Sequence, residues 1–312
     1  MQHTSNSNRS KGRPAGQPNA GHPHAGDEMS VSFEFFPPAD DKGEARLWDT
    51  VEKLSPLRPE WYSVTYGAGG STQERTDRIV RRILKETDTP PAAHLTCVGQ
   101  TRDEVDERTR GWWEAGVRHI VALRGDPPKG ETQFTPHPEG YQSGADLVAG
   151  LRRIADFDIS VGGYPEVHPD SPNMKADMEN LKAKVDNGAN RIITQYCFET
   201  DDFLRFRDRC AEWGIEVPIV PGIMPVFNFE KVKRFSQGCG AGIPQWLEDT
   251  FAGLDDDPET RALVAASVAA DQCARMQAEG VRQYHFYTLN KPELTYAVCR
   301  RLGIKPRLKE AA

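Results

Sequence analysis

The sequence predicts an α/β protein, a (β/α)8 TIM barrel with extra helices before the last strand. Short runs rich in β-branched and aromatic residues alternate with segments of helical apolar spacing, as in Ile79, Ile83 and Leu84. Alternating strands and helices favour a parallel sheet, and eight strands are the number that closes such a barrel. The predicted strands are residues 31–36, 61–66, 92–97, 119–123, 159–163, 191–197, 217–220 and 283–288.

The segments outside these strands complete the predicted organisation. Extra helices are expected at 244–254 and 258–279, and a final helix at 292–302 closes the ring. Residues 1–29 are rich in Ser, Asn, Gly, Pro and His and nearly free of large apolar side chains, which predicts a disordered tail. Residues 30–312 are predicted to form one catalytic barrel domain.

Composition excludes several classes of function. The net charge of -7 comes without a basic block, so nucleic acid is not an expected partner. No apolar run approaches the roughly 20 residues of a membrane span. The six cysteines show no CxxC pair and no metal-like spacing, so we expect no metal site and a reduced, cytoplasmic location. A Rossmann or P-loop fold is excluded as well, since no GxGxxG follows a predicted strand and neither GxxxxGKS nor GxxxxGKT is present. The glycines at 238, 240 and 242 are more typical of a loop than of a phosphate site.

The first predicted strand presents a carboxylate to the barrel interior. Period-two alternation places Ser32, Glu34 and Phe36 on one face, while the intervening apolar residues face the helices. Pro37 and Pro38 then end the strand, so Glu34 lies close to the carboxyl end, where barrels bind ligands.

Polar residues at the ends of other strands point to the same cavity. The same alternation directs Thr65, His94 and Gln195 inward, and the fourth and fifth strands run into Asp126 and His168. Each has a structural explanation of its own, such as a satisfied core histidine or a helix cap. Their coincidence at matching strand ends favours one shared site.

Glu34 has two interpretations. A carboxylate among phenylalanines is either a buried ion pair with Arg124 or His94, or a general acid whose pKa is raised toward neutrality by its apolar setting. We favour the acid, because perturbed groups cluster in active sites.

Eight stretches in order along the chain resemble the flavin-dependent 5,10-methylenetetrahydrofolate reductases in their bacterial single-domain form. Examples are Phe-Glu-Phe-Phe-Pro-Pro at 33–38, Leu-Arg-Gly-Asp at 123–126, Tyr-Pro-Glu-Val-His-Pro at 164–169 and His-Phe-Tyr-Thr-Leu-Asn at 285–290. The resemblance runs from about residue 30 to 303. It implies bound FAD that takes a hydride from NAD(P)H, with NADH expected from bacterial relatives, and then passes it to methylenetetrahydrofolate in a ping-pong scheme.

The resemblance also implies roles for individual residues. Glu34 would protonate folate N10, and Asp126 would contact the pterin and tune the flavin. The residues implied for the folate and the nicotinamide are Thr65, Gln195, Lys231, Phe235, Leu289 and Lys291. The residues implied for FAD are Tyr66, Ala68, His94, Arg124, Gly125, Asp126, Tyr141, Gly144, Tyr164, His168, Asp177, Asn180 and Lys184. The family further implies a homo-oligomer and a product that supplies methyl groups for methionine synthesis.

Two other interpretations stay open. One is a barrel methyltransferase or another folate-dependent barrel without a flavin, and the other is a non-catalytic folate-binding or interaction protein. The visible absorption spectrum of the purified protein separates both from a flavoprotein.

Overall fold

The parallel barrel expected from the sequence is confirmed. The computed structural model describes residues 28–67, 72–127 and 134–307, and in these residues the strands form one parallel sheet in the order β7-β6-β5-β4-β3-β2-β1-β9-β8. The strands are β1 Ser30–Phe35, β2 Tyr62–Val64, β3 Pro91–Thr96, β4 His119–Leu123, β5 Asp158–Gly163, β6 Arg191–Thr194, β7 Ile219–Val220, β8 Gly222–Ile223 and β9 Gln283–Tyr287.

The seventh strand position departs from the prediction, because it is split into two short strands. β7 pairs with β6, and β8 pairs with β9, so together they bring the two edges of the sheet to one place. Pro221 lies between them and has no N–H to donate to the ladder, whereas its carbonyl accepts from His285 N at 3.0 Å. The single strand predicted at 217–220 therefore begins two residues before β7, and the prediction omits β8.

Helices surround the barrel as predicted, including two before the last strand. Their bounds are α1 Asp41–Leu54, α2 Gln73–Glu86, α3 Arg102–Ala115, α4 Gly144–Ile154, α5 Met174–Asp186, α6 Thr200–Glu212, α7 Phe229–Cys239, α8 Gln245–Phe251, α9 Pro258–Ala278 and α10 Pro292–Arg301. Local sequence explains where several begin: α3 starts with a capping box in which Thr101 and Glu104 satisfy each other's backbone N–H groups. None of the helices within the described ranges has the length and apolar character that crossing a bilayer requires.

The core has two parts, inside and outside the strand cylinder. Outside, Phe33 and Phe35 are fully buried in the large cluster between strands and helices. Inside, Trp61, Val121 and Ile193 form a smaller apolar cluster. This division confirms the alternation predicted for β1, which leaves Glu34 facing inward. The predicted tail lies outside the described residues apart from Glu28 and Met29.

Candidate active site

The end of β1 carries a buried carboxylate held between two histidines. Glu34 Oε2 lies 3.3 Å from His94 Nε2 on β3 and 3.5 Å from His285 Nε2 on β9. The second ring nitrogen of His285, Nδ1, lies 2.8 Å from the Ser32 hydroxyl. With its proton on Nε2, His285 donates to Glu34 and accepts from Ser32. We call Ser32, Glu34, His94 and His285 the acid cluster.

The histidines overturn the pKa predicted for Glu34. Burial alone raises the pKa of this carboxyl, since the residue is only 7% exposed and its charged form loses hydration. His285, which is hydrogen-bonded to Glu34, and His94, whose Nε2 lies 3.3 Å from the carboxylate without the geometry of a hydrogen bond, outweigh burial and lower the pKa from 4.5 to about 2. The expected value near neutrality is therefore wrong. Of the two ion-pair partners considered, His94 is present, whereas Arg124 pairs with Asp170.

The loop after β9 holds the backbone around Glu34. Thr288 Oγ1 donates to the Glu34 carbonyl at 2.6 Å. The Asn290 side chain accepts from Phe36 N and donates to Phe36 O, both at 2.9 Å. Leu289 and Asn290 adopt φ values of 51° and 54°, a left-handed conformation that costs energy for leucine. The position of the carboxylate is thus fixed by backbone contacts as well as by its own hydrogen bonds.

Tyr287 connects the acid cluster to the opposite side of the mouth. Its hydroxyl donates to Thr194 O on β6 at 2.8 Å. Burial raises the pKa of Tyr287 well above its usual value, and the charge of Glu34 and the nearby Tyr164 add to the effect. Gly222 makes this crossing possible, because a Cβ there would lie 2.2 Å from Thr194 O and 2.5 Å from the Tyr287 ring.

A second group of predicted residues gathers around Tyr164, after β5. Burial raises the pKa of Tyr164 to about 12, and the negative charge of Asp126 adds to it. A hydrogen bond with Gln195 and the positive charge of Arg124 act in the opposite direction. The Tyr164 ring also meets that of His168, with centroids 4.4 Å apart. Strand ends β4, β5 and β6 therefore converge, as the sequence predicts.

The half-buried Lys184 on α5 lies near these residues. Lys184 Nζ donates to Gly162 O at 3.1 Å, and burial lowers the pKa of Lys184 to about 8, assisted by Arg124 and opposed by Asp177. Its Cε would be 3.5 Å from a Cβ at Gly144, the first residue of α4. A cationic amine next to the start of a helix suits an anionic ligand.

Comparison with known proteins decides the family. The family model for methylenetetrahydrofolate reductase matches residues 21–303. The chain belongs to the methylenetetrahydrofolate reductase family. It is 50% identical over 281 residues to the 5,10-methylenetetrahydrofolate reductase of Escherichia coli (strain K12), covering 90% of this chain and 93% of that protein.

More distant relatives of this reductase family member agree in fold. The chain is 34% identical to methylenetetrahydrofolate reductase (NADH) 1 of Arabidopsis thaliana, over 89% of its own length and 49% of that protein. A solved structure of an uncharacterized Clostridium thermocellum protein that binds two copies of 5-methyl-5,6,7,8-tetrahydrofolic acid superposes with a TM-score of 0.57 at 16% identity. It covers 89% of this chain and 95% of that one, and at this identity it shows the fold alone.

Some residues predicted for FAD in this reductase family member point their side chains elsewhere. The Tyr66 hydroxyl reaches Gln100 Oε1 at 3.5 Å, on the helix side of β2. The buried Tyr141 ring packs against Gly150 of α4, and its hydroxyl donates to Asp106 of α3. Both rings therefore pack on the helix side of the barrel, and contact of these two residues with FAD stays a prediction.

Other residues predicted to bind FAD lie in different surroundings. Asp177 uses both carboxylate oxygens locally, accepting from His168 N at 3.2 Å and from the Ser171 hydroxyl at 2.9 Å. Asn180 is exposed on α5, and Gly125 has a φ of 91° in the loop after β4. Ala68 lies outside the described residues.

The residues predicted for substrate lie on two sides of the mouth. On α7, Lys231 is exposed and the Phe235 ring is 48% exposed. Across from them, Lys291 Nζ lies 5.4 Å from the Phe227 ring. Thr65 is half-buried just after β2.

The loop predicted at glycines 238, 240 and 242 begins at Gly240, whereas Gly238 lies in the last turn of α7. Gly240 ends α7 with a φ of 74°, and a Cβ there would lie 2.5 Å from Pro169. Gly242 N donates to both carboxylate oxygens of Glu166, at 3.0 and 2.9 Å. These glycines therefore let the end of α7 approach the loop that carries Tyr164.

Sequence reasoning missed two members of this site as functional residues, His285 and Tyr287. A signal for both existed, since period-two alternation along β9 directs them inward. The decisive fact is register: Ser32 pairs with His285, and Glu34 pairs with Tyr287. Only the pairing of the first strand with the last brings these side chains together.

Proposed function

We propose that the chain reduces 5,10-methylenetetrahydrofolate to 5-methyltetrahydrofolate with FAD as cofactor and NAD(P)H as reductant. The observation that carries the proposal is the buried acid cluster at the barrel mouth of a chain belonging to this family. It offers what the reaction needs, a proton source beside a space for a flat ligand.

Residues at the mouth fit a flavin dinucleotide. Lys184 and the start of α4 at Gly144 suit its diphosphate. Two inward polar atoms, Ser63 Oγ and Thr96 Oγ1, are buried without a hydrogen-bond partner among the described residues, which suits a polar ligand. When bound, FAD would supply the carrier that accepts a hydride from the dinucleotide and gives it to the folate methylene carbon.

The proton for folate N10 comes from the acid cluster as a unit. Glu34 by itself has no proton to donate near neutral pH, because its pKa of about 2 leaves the carboxyl ionised. The Nε2 atoms of His94 and His285 lie 3.3 and 3.5 Å from Glu34 Oε2, so an imidazole that is protonated on both nitrogens can pass one proton through that oxygen to N10 and is left neutral. The bond between N10 and the methylene carbon then opens as N10 gains the proton.

The other predicted residues orient the ligands. Gln195, held beside Tyr164, would hydrogen-bond the pterin or the nicotinamide amide, and the exposed Phe235 ring would stack on either ligand. The negative charge of Asp126 would suit a cationic folate intermediate. Lys231 and Lys291 suit the carboxylates of the folate tail.

Two finer statements are part of the proposal. NADH is the expected reductant, supported by the name of the Arabidopsis relative, methylenetetrahydrofolate reductase (NADH) 1. Assembly as a homo-oligomer in the cytoplasm and supply of methyl groups for methionine synthesis stay predictions.

The purified chain tests the proposal directly. A flavin absorption spectrum, bleached by NADH under anaerobic conditions and restored by methylenetetrahydrofolate, is the expected result. A colourless protein that cannot be loaded with FAD would overturn the proposal in favour of a folate-dependent barrel without flavin or a binding protein. NADPH in parallel decides the dinucleotide.

A further inference from the structure

Trp61 lies under the acid cluster, just before β2, and is only 5% exposed. Its ring stacks on the His285 ring, with centroids 4.8 Å apart and an interplanar angle of 26°. Its backbone carbonyl also accepts from Phe33 N at 3.3 Å, between the two β1 residues of the cluster. One residue thus contacts both the imidazole and the strand that carries the carboxylate.

Trp61 stacks on the face of the His285 ring, whereas Ser32, Glu34 and Tyr287 do not. Ser32 and Glu34 contact the two nitrogens at the ring edge, and the Tyr287 ring meets it edge-on at 5.4 Å and 84°. Rotation about the last torsion of a histidine is only weakly restricted by the chain itself. A broad aromatic face in stacking contact is what opposes tilting of the imidazole.

Trp61 also separates the acid cluster from a second polar layer deeper in the barrel. The Trp61 ring also contacts the His119 ring, with centroids 4.6 Å apart and an interplanar angle of 75°. His119 Nε2 lies 2.7 Å from Ser160 Oγ and 3.2 Å from Arg191, which pairs with Asp158. Loss of the indole would open a path between these charges and Glu34.

We propose that Trp61 is a positioning residue that fixes the plane and tautomer of the His285 ring, so that Nε2 faces Glu34 and Nδ1 faces Ser32. The indole also keeps water and the charges of the deeper layer out of the cluster. The role in catalysis rests on the proposed function, because only the folate half-reaction needs the proton.

The charged and titratable groups around His285 set the expected pH effect. They are Glu34 on β1, His94 on β3, Tyr287 on β9 and, beyond the indole, His119 on β4. Burial lowers the pKa of His285, and the Glu34 carboxylate opposes that effect. Removing the indole admits water, so the pKa of His285 should rise toward its ordinary value.

The test compares Trp61→Leu with Trp61→Phe, which keeps an aromatic face. Trp113→Leu is the matched control, since Trp113 packs on Phe157 of the outer barrel at 5.0 Å, away from the cluster. For Trp61→Leu we expect the folate half-reaction to slow by about 10- to 100-fold, the scale of a small misplacement of a reacting group. Its pH profile should shift upward, while flavin reduction by NADH stays within about threefold, and Trp61→Phe should restore most of the rate.

A second readout does not depend on flavin. Correlation spectra of the histidine ring nitrogens should show one tautomer of His285 in the unaltered chain and in Trp61→Phe, and a tautomer mixture in Trp61→Leu. An unchanged tautomer and pH profile in Trp61→Leu, or an equal loss in both half-reactions, would overturn the proposal. If the unaltered chain fails to bind FAD, the proposed function fails, and these spectra still decide the role of Trp61.

Discussion

Replacing Glu34 by glutamine separates the two half-reactions most sharply. The change keeps the shape of the side chain and removes both its charge and its ability to relay a proton. The carboxylate is 7% exposed and lies 3.3 and 3.5 Å from two imidazoles, so solvent has no direct route to replace it. Positioned proton transfer contributes about 10²- to 10⁴-fold to a rate. At about 1.4 kcal/mol per tenfold, the variant loses roughly 3 to 5 kcal/mol of transition-state stabilisation.

Anaerobic stopped-flow absorption measures each half-reaction by the flavin spectrum. In Glu34→Gln, reduction by NADH should stay within about threefold of the unaltered chain, because that step needs no proton from the cluster. Reoxidation by methylenetetrahydrofolate should carry the whole loss. The matched control is Glu166→Gln, a half-buried carboxylate at the same mouth whose amide oxygen can still accept from Gly242 N. Equal loss in both half-reactions of Glu34→Gln would show that Glu34 is structural.

Three further changes test the ligand site, the barrel closure and the deeper layer. Lys184→Gln should weaken FAD binding by about 10- to 100-fold by titration calorimetry, the value of a charged hydrogen bond, while Lys182→Gln on the same helix should not. FAD affinity of the unaltered chain should fall above pH 8, because the pKa of Lys184 is about 8. An FAD affinity that changes neither with pH nor in Lys184→Gln would contradict the diphosphate site. Gly222→Ala should destabilise the fold by about 2 kcal/mol or more in urea unfolding, because its Cβ has no room, whereas Gly238→Ala, in open space on α7, should stabilise it by up to about 1 kcal/mol. Burial lowers the pKa of His119 from 6.5 to about 3, so as the pH drops below 6.5 the unfolded chain takes up this proton before the folded chain does, and the free energy of unfolding falls. His119→Gln should reduce the dependence of the free energy of unfolding on pH by about 1.4 kcal/mol per pH unit. An unchanged pH dependence would refute this prediction.

Local sequence patterns were enough to predict the fold and the residues at the ends of individual strands. Alternating strand and helix segments predict the barrel, and period-two alternation places Glu34 inward and Phe33 toward the helices, as the structure confirms. Where the prediction erred, a non-local partner decided. Strand seven breaks at Pro221 because β8 must pair with β9, which lies about 60 residues later in the chain.

The chemistry around Glu34 shows the division most clearly. The sequence by itself determined that a carboxylate lies inside a barrel near its mouth, because alternation and proline placement are local properties. Only the tertiary structure decided the charge state, since the pairing of β1 with the last strand brings His285 to Glu34, and the pairing of β1 with β2 and of β2 with β3 brings His94 to it. Burial and hydrogen bonding change a pKa in opposite directions. The balance between them depends on distances of a few ångströms that no local pattern specifies.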